Sequence, residues 1–140
     1  MEKRNPNRVP DDELTFDPDG RARLLGELFT GVAWESPSGG LHLSEVEYVG
    51  GLEHGVSTDW YDHETIAVRQ ISEYGTKHGL EEAWWPNGAP KLRAQWEVGV
   101  RVTLERWDER GELVERWALA SDDPRRELAR KLLAVVQRGR

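Results

Sequence analysis

Short runs in which apolar and polar residues alternate dominate the middle of the chain. Ile66, Val68 and Gln70 fall on one side of an extended backbone, with Ala67, Arg69 and Ile71 on the other. Val100, Val102 and Leu104 alternate with Arg101, Thr103 and Glu105 in the same way. These runs are separated by turn residues. Leu80–Trp85 is followed by Pro86-Asn87-Gly88 and then Lys91–Glu97, and an Asn-Gly pair between such runs is a strong hairpin signal. Val56–Tyr61 turns through Asp62-His63-Glu64 into Ile66–Tyr74, and Val102–Trp107 turns through Asp108-Glu109-Arg110-Gly111 into Glu112–Leu119. Lone hairpins are marginal in water, so the pattern predicts a mainly β fold, an elongated antiparallel meander of stacked hairpins.

Beyond residue 120 the period changes from two to that of a helix. Asp123 is a good N-cap and Pro124 suits the first helical position. Leu128, Leu132, Val135 and Val136 then recur at helical spacing, which predicts an amphipathic helix over 124–138 with that stripe packed on the sheet. Leu14–Asp17 with Asp19-Gly20 predicts a small edge hairpin. The domain plan is a disordered segment over 1–12, a hairpin domain over 13–120 and a helical tail over 121–140.

The strands recur with a fixed period. Gly31, Gly55 and Gly79 are 24 residues apart, as are Gly51, Gly75 and Gly99. They mark units at 31–51, 55–75 and 79–99, with a degenerate fourth at 100–119. Without a gap, His54 meets His78, Trp60 meets Trp84, Arg69 meets Arg93 and Glu73 meets Glu97. The first unit is poorer, with Trp34 early and a Ser36-Pro37-Ser38-Gly39-Gly40 turn. Degenerate end units are what an array needs, because its terminal faces must be capped. The flanking glycines are expected to let the chain reverse at each unit boundary.

Charge and composition narrow the function. Residues 125–140 carry six Arg or Lys against Glu127, so the rest of the chain holds −12 of a net −7. A body that acidic repels phosphate backbones and attracts a basic protein, which argues against a nucleic-acid partner. The chain has no cysteine, which fits a reducing, cytoplasmic setting, and no run approaches the length needed to span a bilayer. Seven tryptophans (34, 60, 84, 85, 96, 107 and 117) are enough both to fill a strand-rich core and to anchor an interface.

Hairpin units with Gly, a paired aromatic, an Asn-Gly turn and a closing Gly resemble MORN-type repeats. The best match is Trp84-Trp85 with Pro86-Asn87-Gly88, closed by Trp96-Glu97-Val98-Gly99. The flavour is similar to the MORN variant of bacterial antitoxins of the YwqK type, over residues 26–117. The resemblance implies a β-hairpin repeat and an antitoxin or immunity protein that occludes the active cleft of a cognate toxin. MORN-type hairpins also occur in scaffolds and membrane-associated adaptors, which is the alternative function. The first unit lacks the aromatic pair, the second lacks Asn-Gly, and the helix lies outside the repeat.

Candidate chemistry is sparse. His54 and His78 share one repeat position before a glycine and are expected to be structural, while His42 and His63 stand alone and complete no metal site. Ser36, Ser38, Ser44, Ser57, Ser72 and Ser121 sit in no nucleophile-elbow motif, and no phosphate loop is present. No catalytic residue, metal or cofactor is assigned, and the chain is taken as a non-enzyme. The aromatic pairs are the better candidates. Neighbours on a strand face opposite ways, so Trp60 and Trp84 emerge on one face and Tyr61 and Trp85 on the other. The 61/85 column is assigned to structure, with Arg69 or Arg93 on its rings. Trp60 and Trp84, flanked by Asp59, Glu81 and Glu82, are assigned to the partner. Free sheet edges would also allow two copies to pair as a homodimer.

Overall fold

The structure, a computed structural model, describes residues 7–36 and 42–138. Nine strands form one sheet in the order β1 (Arg8–Pro10), β5 (Gly31–Glu35), β6 (Leu43–Val49), β7 (Leu52–Trp60), β8 (Ile66–Glu73), β9 (Thr76–Trp84), β10 (Pro90–Glu97), β11 (Val100–Trp107) and β12 (Leu113–Ala118). From β5 onwards every pair is antiparallel, so the fold is the expected meander. A smaller sheet joins β2 (Thr15–Phe16), β3 (Ala22–Leu24) and β4 (Glu27–Leu28), and α1 spans Pro124–Arg138.

The period of 24 reappears as repeated hydrogen bonds. The N–H groups of Gly51, Gly75 and Gly99 donate at 2.8 Å to the carbonyls of Phe29, Glu53 and Lys77. At each of these turns two successive residues have positive φ: Gly50-Gly51, Tyr74-Gly75 and Val98-Gly99. That is the signature of the tight hairpin turn whose twist suits flanking strands. Leu25-Gly26 has the same pair of angles, which extends the series one unit nearer the N-terminus than the sequence comparison reached. The opposite ends of the strands use a wider loop. Asp17, Tyr61, Trp85 and Asp108 each donate backbone N–H to the residue four places on, at 2.8 to 3.0 Å.

Several expectations need correction. Gly31, Gly55 and Gly79 do not reverse the chain, because they lie inside β5, β7 and β9. At Gly31 the missing side chain has a use: a Cβ there would collide with the carbonyl of Asn7, which accepts from Val32 N–H. This close approach seats β1 parallel to β5, so residues 7–12 are not disordered; Arg8–Pro10 is a strand, Asp11–Glu13 a 3-10 turn, and Val9 is 2% exposed. Residues 1–6 and 37–41, the latter holding most of the Ser36–Gly40 turn, lie outside those described. The N-terminal core gathers Val9, Leu14, Ala22, Phe29 and Ala33, with Leu24 and Tyr48 packed on it.

The helix has the expected bounds but not the expected rotation. Asp123 Oδ1 accepts from the backbone N–H of Arg125, and the side chain of Asp123 also pairs with the Arg125 guanidinium at 2.9 Å. The stripe assigned to packing points outward: Leu128 is 55% exposed, Leu132 42% and Val135 64%, while the Val136 side chain is outside those described. Ala129 is fully buried, and Leu133 lines a small cavity together with Glu73, Thr76, His78 and Val98. The rotation is fixed by Arg126, which bonds Glu97 at 2.9 Å and the carbonyl of Leu119 at 3.1 Å. A charge-assisted pair to the sheet thus decides which side of the helix turns inward. Among the described residues no helix is long and apolar enough to cross a membrane.

Candidate functional site

The register assigns every strand residue to a face. On the first face one column runs Val9, Ala33, Val46, Ser57, Gln70, Glu81, Ala94, Leu104 and Trp117, each directly opposite the next. The second face carries Trp34, Glu45, Thr58, Arg69, Glu82, Arg93, Glu105 and Arg116. By alternation Trp60 and Trp84 belong to this second face, close to the wide-loop end of β7 and β9.

Trp60, Trp84 and Glu82 therefore stand together, but Asp59 and Glu81 do not. Each lies one residue from a second-face position, so each points to the first face. Asp59 accepts a short hydrogen bond from the hydroxyl of Ser44. Glu81 accepts the indole N–H of Trp96 at 2.9 Å and pairs with Arg101 at 3.1 Å. Lys77 and Arg101 both lie over the Trp96 ring, 4.8 and 4.9 Å from its centroid. Glu81 is thus an internal tie. Sequence reasoning missed this cluster because Trp96 lies outside the aromatic column.

The 61/85 column is structural in an unforeseen way. Tyr61 donates its hydroxyl to the carbonyl of Trp84 at 2.8 Å, and Trp85 donates its indole N–H to the carbonyl of Trp107 at 3.3 Å. The second and third units thus each hook a polar-tipped aromatic onto the next. Lys91, rather than Arg69 or Arg93, lies on the Trp85 ring, at 4.7 Å. The wide-loop end is therefore a rim of partly buried aromatics: Trp34, Trp60, Tyr61, Trp84, Trp85 and Trp107.

Acidic loops border that rim. Asp62, Glu64, Glu109 and Glu112 are exposed, and Asp108 is partly so. Asp62 Oδ1 accepts from the N–H groups of Glu64 and Thr65, and these bonds hold its carboxyl below the usual range. Asp108 accepts from Arg110 and Glu112 in the same manner. The loops are consequently preset rather than slack.

The histidines divide as expected in one pair and not in the other. His54 Nδ1 accepts from the N–H of Tyr74 at 3.2 Å, and His78 Nδ1 from that of Val98 at 3.1 Å. Both satisfy the strained positive-φ residue of the next turn. His42 and His63 do not stand alone; their rings meet edge to face, with centroids 4.2 Å apart. Among the described residues no three metal-ligating side chains come together.

A shallow cleft lies where the N-terminal segment covers the first face. Asp11, Leu14, Phe16, Glu35, Ser44 and Tyr48 line it. The hydrogen bond and charge of Asp11 raise the Glu35 carboxyl above its ordinary range. Comparison with protein families, with curated proteins and with solved structures finds no match to this chain.

Proposed function

We infer that the chain is a non-enzymatic protein-binding module, and that it acts as an antitoxin or immunity protein whose aromatic rim covers the active cleft of a basic toxin. One observation carries this: six aromatics are gathered at one end of the sheet, two of them, Tyr61 and Trp85, tied by side-chain hydrogen bonds to the next unit, and preset acidic loops border them. Rigid, amphipathic aromatics lose little entropy on binding, and acidic surroundings steer a basic partner and speed its encounter. The toxin-neutralising role itself rests on the MORN-type resemblance.

The test is to express the protein encoded beside this one, alone and together with it. Growth arrest by the neighbour alone, relieved on co-expression, supports the role; a neighbour equally harmless in both cases overturns it. Replacing Trp60 and Trp84 together by Ala should weaken binding by more than about 100-fold, as loss of two anchors does, while the domain stays folded. Unchanged binding with collapsed thermal stability would reverse the assignment of these two residues.

A second role, a scaffold at an anionic membrane surface, draws on α1. Its exposed Leu128, Leu132 and Val135 lie beside Arg125, Arg130 and Lys131, the makeup of a helix that rests in a lipid interface. Flotation with anionic liposomes at physiological salt separates the two roles, since only the second requires binding.

A further inference from the structure

The second face holds an alternating ladder of charge. From Glu45 the column continues through Thr58 to Arg69, Glu82, Arg93, Glu105 and Arg116, with acid and base in turn on β8 to β12. Both ends of the ladder form ion pairs: Arg8 with Glu45 at 2.7 Å and Arg116 with Glu105 at 2.9 Å. Opposite charges directly across strands stabilise pairing and like charges oppose it. The ladder therefore encodes strand order as well as solubility.

It stops at Arg116 on β12, and β12 is an edge of the sheet. The helix leans on β10 and β11, and Leu113 and Val114 are 43% and 55% exposed. Leu119 donates its N–H inward to Val102 at 2.8 Å, so by alternation Arg116 and Ala118 turn their N–H and C=O groups away from β11. At the opposite edge β1 shows three residues among those described and ends in Pro10, which has no N–H to donate.

The geometry points to strand addition at β12 by an extended segment of a different protein that places a carboxylate opposite Arg116. Register excludes a second copy as the favoured occupant. Symmetric antiparallel pairing keeps faces matched, so Arg116 would meet Arg116, Val114 or Ala118 of the other copy and never Glu115. Pairing on β1 of another copy brings Arg8 and no acid. Only an incoming strand with a carboxylate at that position continues the alternation, while main-chain bonds to Arg116 and Ala118 supply sequence-independent affinity. The site is separate from the aromatic rim and stands whether or not the rim binds a toxin.

The full chain, labelled with nitrogen-15, is titrated with a seven-residue peptide that alternates valine and threonine around a central glutamate. A second peptide carries lysine at the centre. The glutamate peptide should shift and slow the exchange of the Arg116 and Ala118 amides, and bind about fivefold tighter than the lysine peptide, the factor expected of one cross-strand charge pair. Arg116→Glu should reverse that preference. Ala118→Pro, which removes one outward donor at an edge position, should abolish binding of both peptides while the β7–β10 amide signals stay dispersed. Three outcomes overturn the proposal: no response at those amides, equal affinity for both peptides with no reversal in Arg116→Glu, or a concentration-dependent dimer that buries residues 113–118 without peptide.

Discussion

The two ends of the strands are built from the same repeat and obey it to different degrees. At the narrow-turn end, glycine and histidine recur in strict register, and each does the same task in successive units. At the wide-loop end the backbone bonds recur, but the side chains differ: His63 and Glu64 in one loop, Asn87-Gly88 in the next, Arg110-Gly111 in the last. Where the repeat is strict, the residues space and lock the strands. Where it loosens, the loop side chains vary while the backbone bonds recur.

The largest difference should come from glycine. Gly51 has φ of +85°, and a Cβ there would approach Ala22 O at 2.9 Å and Leu28 Cδ2 at 3.0 Å. Gly51→Val should therefore cost about 3 kcal/mol or more in urea unfolding, from backbone strain and overpacking together. Gly88 has nearly the same φ, +87°, at the loop end but open space around it. Gly88→Val should cost only the strain, about 1–2 kcal/mol. Equal costs would show that packing does not distinguish the two ends.

Histidine comes next. His78→Ala leaves the Val98 N–H without its acceptor and should cost about 1–2 kcal/mol. His63→Ala at the loop end removes an edge-to-face contact with the exposed ring of His42 and should change stability by less than about 0.5 kcal/mol. Parallel thermal melts of the two variants check this contrast. If His63→Ala proved the costlier, the loop end would be a structural element too.

Much of this contrast is legible in the sequence. Hairpin limits, the wide loops and the span of α1 follow from alternation, Asx residues and an Asp-Pro start, which are local signals. What escaped is non-local. Leu25-Gly26 carries no repeat neighbours to flag it, yet its backbone angles match the later turns. Asp59 and Glu81 look like flanks of Trp60 and Trp84 until alternation sends them to the other face, where Ser44, Trp96 and Arg101 claim them. The rotation of α1 turns on Arg126 meeting Glu97, 29 residues away, and no periodicity carries that. His42 and His63 come together only through the pairing of β6 with β7.

Acid should loosen the helix and the first wide loop before the narrow-turn end. Hydrogen bonds from the Arg125 side chain and backbone lower the Asp123 carboxyl to about 2. Asp17 is lowered to about 2 by its hydrogen bond with Asp19 and then by Arg23 and Arg21. A carboxyl lowered by folding adds stability that is present above its unfolded value and lost as pH falls through the folded one. Helical ellipticity should therefore decline between about pH 4 and pH 2. Asp123→Asn, which keeps a cap but removes the titrating charge, should flatten that decline. A decline centred near pH 6 would place the titration elsewhere.

Glu35 offers the smallest and most diagnostic effect, because its shift has the opposite sign. Its carboxyl is raised, first by the hydrogen bond with Asp11 and then by the charge of Asp11. The folded chain thus holds that proton more tightly than the unfolded chain, and the stability this adds is present at low pH and lost as pH rises through the folded value. Above that folded value the Glu35 carboxylate is opposed by the charge of Asp11 across the mouth of the N-terminal cleft. Glu35→Gln relieves this, so Tm should rise by less than about 3 °C at pH 7, since the pair is well exposed and screened. At pH 3 the wild-type carboxyl carries its own proton, and the two melting curves should coincide. A gain that persisted at pH 3 would mean that the introduced amide had made a new hydrogen bond, and the electrostatic account of the cleft would fail.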